Sequence, residues 1–224
     1  GLYNPVDYLR FLWHTGERKV FWCGGDILNL RKRRYWLRIL KLWKATHVCE
    51  NEVEQNALFA MGISSTIHPY LLDKFETDIS FKPQKRLQVY LCAHEGREEE
   101  YGVYEFDEIA EEFPNMDFHI YGTEGYSSNE NVHVHGIVPH EQFIQEIQDY
   151  HIAVRLNAFD GFSEILARSV LLGQYQISRI QYPHMYFAPT KEIVKSCLQE
   201  LSNVREPNYA GRNYWSEELN KSLI

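Results

Sequence analysis

The chain has no apolar run approaching the roughly 18 residues that a membrane-spanning helix needs, so nothing in it reads as a transmembrane segment. The basic start and short apolar stretch of a secretory signal are also missing. Cysteine is sparse and scattered (Cys23, Cys49, Cys92, Cys197), with no C-x-x-C pair. That argues against a disulfide framework and leads to the expectation of reduced, buried thiols and a cytoplasmic location. Positive charge is in deficit: the net charge is −8, which argues against a nucleic-acid partner. Neither a Walker loop nor a G-x-S-x-G elbow occurs, and there is no low-complexity segment or short repeat. The chain starts at Gly1 rather than Met, which reads as a tag remnant or a trimmed start.

What remains is a globular composition. Of 224 residues, 44% are hydrophobic, enough for a real core. Aromatics are plentiful, with 15 Tyr, 12 Phe and 5 Trp, a supply for core, interface and ring stacking. One local exception to the acidic balance is Arg31-Lys32-Arg33-Arg34, beside Tyr35 and Trp36. It reads either as a solvated helix start or as a peripheral contact with anionic headgroups or an acidic substrate.

In chain order, residues 1–18 show helical spacing of apolar side chains, and KVFWC at 19–23 reads as a buried strand feeding the turn Gly24-Gly25-Asp26. A single helix is predicted over about 30–44, a strand over 46–49, and a helix capped by Asn51 that stops at Gly62. A short strand over 63–69 and a polar linker over 70–86 follow. From Leu87 strands and helices alternate: strands at 87–92, 117–121, 131–135, 151–157 and 175–178, helices at 103–113, 139–149, 163–172 and 190–201, and a further helix in the tail from Tyr209. This alternation calls for a parallel sheet covered on both faces, with ligands beyond the carboxyl ends of the strands. Three loops fall there, at 94–102, 122–130 and 158–163.

The last of these is the most informative. Gly161 permits close approach of backbone to a ligand, and Ser163 suits a helix N-cap. The amides of Phe162, Ser163 and Glu164 are then expected to point outward, where a diphosphate can bind. Asp160 has the reach to accept hydrogen bonds from sugar hydroxyls. Any strand-to-helix turn favours the same residue types, so a purely structural turn stays open beside this reading. His133 and His135 alternate on one strand with His140 nearby, yet no acidic or cysteine partner stands at ligand spacing, so no metal is assigned.

The segment NVHVHGIVPHEQFIQEIQDYHIAVRLNAFDGFSEILARSVLLGQYQIS resembles the donor-binding half of the large retaining family of GT-B glycosyltransferases. There a strand leads to E-G-F-G, a helix carrying a second Glu, then Gly and the next strand. FWCGGDIL is similar to the family's V-H-G-S-D-V segment, and CENEVEQNALFAMGISSTIHPYLL to the stretch that leaves its N-terminal domain. The resemblance implies an α/β, GT-B-like fold. Residues 1–86 would be a partial or reduced acceptor-side portion with a linker, and residues 87–224 a Rossmann-like nucleotide-sugar-binding domain. It implies retaining, metal-independent sugar transfer from a nucleotide-diphospho-sugar to an acceptor glycan, lipid or small molecule, with no cofactor besides that substrate. About 350 residues make a full enzyme of two such domains, so the chain is expected to be a C-terminal fragment or a minimal version.

Residue by residue, the first family Glu is Asp160 and the second is Arg168. A guanidinium has no acceptor for ribose hydroxyls, so Arg168 is expected to contact phosphate or to pair with Glu164. The family's G-R-(x)4-K-G loop corresponds to His94-Glu95-Gly96-Arg97 and, past three glutamates, Tyr101-Gly102. Arg97 is the implied neutraliser of the diphosphate, with Arg155 a second cation and Gly122 at the loop beside the base. Cys23 stands where the family often has His, ahead of Gly24, Gly25 and Asp26 in the acceptor-side loop. The departures at Cys23, Tyr101 and Arg168 favour a non-catalytic nucleotide-sugar-binding or scaffold domain as the alternative, with a GT-B-fold epimerase behind it.

Overall fold

The computed structural model describes residues 2–69, 78–125 and 127–221, so the first part of the expected linker, 70–77, lies outside the described residues. These residues form two compact units, one of 2–69 with 159–163 and 221, the other of 78–158 and 164–220.

In the first unit α1 (Pro5–Trp13) opens on a capping box: Asn4 accepts from the amides of Val6 and Asp7, and Asp7 reaches back to the Asn4 amide. Pro5 sits in the first turn, where its missing N–H costs nothing. Three parallel strands follow the order β1 (Lys19–Phe21), β2 (Thr46–Cys49), β3 (Thr66–Ile67). Between β1 and β2 the expected single helix is two, α2 (Gly25–Lys32) and α3 (Arg34–Leu42), broken at Arg33 with φ −118° and ψ 64°. Arg31 and Arg34, three residues apart, would face and repel each other on a continuous helix. The break also lets Ile27 and Leu30 of α2 and Leu40 of α3 reach one core with Trp22, Tyr8 and Leu58. Helix α4 (Glu52–Ala60) is capped by Asn51, whose Oδ1 takes the Glu54 amide at 3.0 Å.

In the second unit β4 (Leu87–Cys92), β5 (Met116–Tyr121), β6 (Val132–Gly136), β7 (Ile152–Arg155), β8 (Tyr175–Ser178) and β9 (Tyr186–Phe187) are all parallel. Their spatial order is β6-β5-β4-β7-β8-β9, which is 3-2-1-4-5-6 in the chain order of this sheet. That is the Rossmann order, and it reverses direction between β4 and β7. The strands read as near-continuous apolar runs because helices bury both faces. Leu91, Phe118, Val154 and Ile177 pack with Phe106 of α6 (Val103–Ala110) and Leu198 of α9 (Lys191–Leu201). A one-turn helix, α5 (Glu98–Tyr101), sits in the expected charged loop, α7 (His140–Glu146) follows β6, and α8 (Glu164–Leu171) lies against α10 (Tyr209–Leu219). The stretch 78–86 is irregular, but Phe81 is buried edge-on to His151 and Tyr175, so it belongs to this unit's packing.

The histidines also join a packed layer. His119 stacks on His135 and Tyr150, with Nδ1 2.9 Å from His135 Nε2 and Nε2 2.7 Å from Gln88 Oε1. Burial and its imidazole neighbours push His119 down to about 3. Among the described residues no three His, Cys, Asp or Glu side chains gather as a metal site.

Candidate functional site

In the second unit the direction of the sheet reverses beside β4, and that point is where ligands of open α/β sheets sit. Two arginines and a tyrosine meet there. Arg155, at the carboxyl end of β7, donates from Nη1 to the Cys92 carbonyl at the end of β4, 3.2 Å away. Its Cζ lies 4.5 Å from the Tyr101 ring centroid, and the Cζ of Arg97 lies 5.3 Å from the same ring. Tyr101 is therefore stacked by two guanidiniums, an arrangement that attraction between a cation and an aromatic face stabilises. Arg97 also grips Glu100, donating from Nε to Oε2 at 2.9 Å and from Nη2 to Oε1. That hydrogen-bonded pair, with the Arg155 charge nearby, holds Glu100 below its ordinary carboxylate range. The glutamate cluster thus occupies Arg97, the residue the resemblance assigns to the diphosphate.

Gly122, after β5, has φ +81°, and a Cβ there would fall on the Ala93 carbonyl that follows β4. Only glycine allows the two loops to run this close. Next to it Thr123 donates to Glu98 at 2.6 Å, and this bond, first among its causes, keeps the Glu98 carboxyl low. The Arg168 guanidinium, mostly buried, donates from Nε to Glu164 Oε1 at 2.7 Å, the intrahelical pair that competes with any phosphate contact.

The first unit holds the remaining candidate residues. Gly24 has φ +69°, and Asp26, fully buried at the start of α2, accepts the amides of Cys23 at 3.0 Å and Leu2 at 3.2 Å. Cys23 is half-buried and its carbonyl takes the Tyr3 hydroxyl. The turn 159–163 packs here. Asp160 Oδ1 takes the Gly161 amide at 3.0 Å, Asn51 Nδ2 donates to the Asp160 carbonyl at 2.8 Å, and Glu50 Oε2 takes the Phe162 amide at 3.0 Å.

This corrects one expectation. Phe162 is buried and its amide is directed into a carboxylate, so it does not point outward as expected. The cause is Glu50, which sequence reasoning missed together with Glu54. Glu54 accepts the Gly24 amide at Oε1 and the Glu50 amide at Oε2, the latter at 2.7 Å. Both glutamates are pushed up to about 8, first by burial; neighbouring carboxylates add to this, while the amide bonds oppose it. The available signal was two glutamates four apart at a strand-to-helix junction, C-E-N-E-V-E, where solvent-facing helix starts also favour glutamate.

The fold is α/β and GT-B-like, with parallel sheets in both units. Among solved structures the chain resembles TarM of S. aureus (11% identity, 91% of this chain and 46% of that chain, TM-score 0.62). It also resembles the pneumococcal O-GlcNAc transferase GtfA in complex with UDP and GlcNAc (14% identity, 92% and 50%, TM-score 0.61). Sucrose-phosphate synthase of Thermosynechococcus elongatus matches at 12% identity over 96% of this chain and 67% of that one, with a TM-score of 0.70. The chain spans about half the length of TarM and of GtfA. No family model and no curated protein matches it.

Proposed function

We propose that the chain is the nucleotide-sugar-binding part of a retaining, metal-independent GT-B glycosyltransferase. The observation that carries this reading is the Arg155–Tyr101–Arg97 stack at the carboxyl edge of a 3-2-1-4-5-6 sheet, beside its reversal point. Two cations there suit a diphosphate, whose charge grows as it departs. Gly122 and Thr123 border the nucleotide base, and Arg168 stays with Glu164. Asp160, five residues beyond the end of β7 in the chain, orients the donor sugar, while Cys23, Gly24, Gly25 and Asp26 serve the acceptor side. UDP in complex with GtfA makes a uridine donor the first to try.

Calorimetry with UDP-, GDP- and ADP-sugars tests this reading. One of them is expected to bind, and Asp160→Ala to weaken that binding about tenfold, equivalent to ~1.4 kcal/mol. Binding by none of the three ends the proposal. The second reading, a binding domain without catalysis, is favoured by the engaged Phe162 amide and by Cys23 at the acceptor loop. Donor turnover in EDTA separates the two, and NMR of the transferred anomer reports retention.

Charge is unevenly distributed: ten of the 23 Lys and Arg, but three of the 31 Asp and Glu, fall in residues 1–49. Arg34, Tyr35, Arg38, Lys41 and Leu42 are exposed on α3, with Leu42 82% and Tyr35 69% accessible. Cations with apolar side chains among them suit an anionic lipid surface. Sedimentation with vesicles containing phosphatidylglycerol is expected to pull down the chain. Neutral vesicles, or Arg31, Lys32, Arg33 and Arg34 all changed to Gln, should leave it in solution.

A further inference from the structure

The turn that carries Asp160 is fixed through its backbone. Its Asp160 carbonyl takes Asn51 Nδ2 at 2.8 Å, its Gly161 amide is closed by Asp160's own carboxylate, and its Phe162 amide ends on Glu50 Oε2 at 3.0 Å. Glu50 and Asn51 are adjacent and buried at the junction of β2 and α4. Each is held by a further bond. The Glu50 amide donates to Glu54, and Asn51 Oδ1 caps α4 on the Glu54 amide.

The steric fit points the same way. A Cβ at Gly161 would collide with the Glu50 carboxylate, and one at Gly24 would lie 3.0 Å from the Gly161 nitrogen and 3.4 Å from the Asp160 carbonyl carbon. Two glycines therefore let the 160–162 backbone settle against the 23–25 backbone, with the Glu50 carboxylate filling the space beside Gly161. Burying a carboxylate among three others (Asp26, Glu54 and Asp160) is costly, and evenly spaced hydrophobic residues would pack the junction more favourably. An acid there can accept the buried Phe162 amide, which an apolar side chain cannot.

We propose that Glu50, with Asn51, is a positioning residue: it fixes the backbone of 160–162 and so sets where the Asp160 side chain is presented. This rests on the donor reading for its functional consequence and on the hydrogen bonds alone for its structural part. The groups facing the Glu50 carboxyl include Glu54 of α4, Asp26 of α2, Tyr3, Cys49 of β2, and Asp160 and the Phe162 amide of the turn. None of them is cationic, so the clamp works through hydrogen bonding and shape.

The test uses the full chain and two variants. Glu50→Ala removes the acceptor, while Glu50→Gln keeps an oxygen for the Phe162 amide. Amide hydrogen exchange followed by NMR is expected to show Phe162 exchanging at least about tenfold faster in Glu50→Ala, with Val48 and Leu58 unchanged, and restored in Glu50→Gln. Calorimetry with UDP-glucose and with UDP should show Glu50→Ala losing about tenfold for the sugar nucleotide and under about twofold for UDP, since Asp160 serves the sugar. Unchanged Phe162 exchange in Glu50→Ala, or Glu50→Gln behaving like Glu50→Ala, overturns the clamp. Equal losses for UDP and UDP-glucose overturn its link to Asp160. A wild-type chain that binds neither UDP-glucose, GDP-mannose nor ADP-glucose sinks the donor reading instead, and the exchange result then decides the clamp by itself.

Discussion

Raising the pH from about 6.5 to 9 is expected to lower the melting temperature of this chain by roughly 4–8 °C, and Glu50→Gln to remove about half of that fall. Glu50 and Glu54 are raised to about 8, mainly by burial, and each feels the other carboxylates of the first unit. A carboxyl whose folded pKa exceeds its unfolded value near 4.5 binds more protons in the native state over that interval. Its stabilising contribution is complete below about 4.5 and is lost as pH rises through about 8. His119 works in the opposite direction. Lowered to about 3, it contributes stability that is complete above about 6.5 and is lost as pH falls towards 3. A scan that begins at pH 6.5 therefore reads mainly the carboxyls up to about pH 8, with the buried, raised thiols Cys49, Cys92 and Cys197 adding to the fall as pH nears 9. At ~1.4 kcal/mol per pH unit for each group, allowing for relaxation of the site, the loss is of the order of 2 kcal/mol, or 4–8 °C for a chain of this size. Glu50→Gln removes one of the two titrating groups and leaves Glu54, which burial raises with Asp26 and Asp160 adding to it, so the slope should fall by about half. Differential scanning calorimetry at a series of pH values checks it, and a slope unchanged in Glu50→Gln would show that these carboxyls ionise freely.

The fold was legible because its signals are local. Apolar runs bounded by glycine and proline mark β4 to β8, and the helices between them force parallel pairing. Two local features were hidden. β9 has only two residues, too short for any alternation to register, and the break at Arg33 depends on which core α2 and α3 share. Of the candidate site, Arg97, Arg155 and Asp160 are proposed from residue type and the resemblance, whereas the Glu164–Arg168 pair, which the structure forms, follows from helical spacing alone. Glu50 and Glu54 stayed hidden for a different reason. Asn51 was identified as the cap of α4, and glutamates beside a cap read as solvent-facing charges that favour the helix dipole. Their burial depends on a turn more than a hundred residues away in the chain, a contact that no window of sequence contains. The layer around His119 is similar, since the pairing of His119 with His133 is set by strand register and not by spacing.

Removing Arg155 is expected to cost far more donor affinity than removing Arg97. Both stack on Tyr101, so their proximity to the proposed diphosphate is similar, but their environments differ. Arg97 has about half of its side chain exposed, and Glu100 already holds it through two hydrogen bonds, so much of its field is cancelled before a ligand arrives. Binding a phosphate with Arg97 means giving up or sharing that partner. Arg155 is less exposed, so water screens its charge less, and it sits on the rigid end of β7 with Nη1 anchored on the Cys92 carbonyl. A charge-assisted hydrogen bond in such a place is worth about 1.5–3 kcal/mol. Arg155→Ala should then weaken UDP-glucose by ~10- to 100-fold, and Arg97→Ala by ~2- to 5-fold. Tyr101→Ala should fall between, because it leaves both cations in place but loses the ring that aligns them. The double variant Arg97→Ala/Glu100→Ala separates charge from partner: if Glu100 is what silences Arg97, Glu100→Ala alone tightens binding and the double variant returns to the level of Arg97→Ala. Affinity should also fall as salt is raised in the wild type and fall less steeply in Arg155→Ala, since screening acts on the charge that has been removed. Calorimetry at two salt concentrations measures all of this. A larger loss from Arg97 than from Arg155 would mean that the Glu100 pair opens on binding and that the diphosphate lies over α5 rather than at the end of β7.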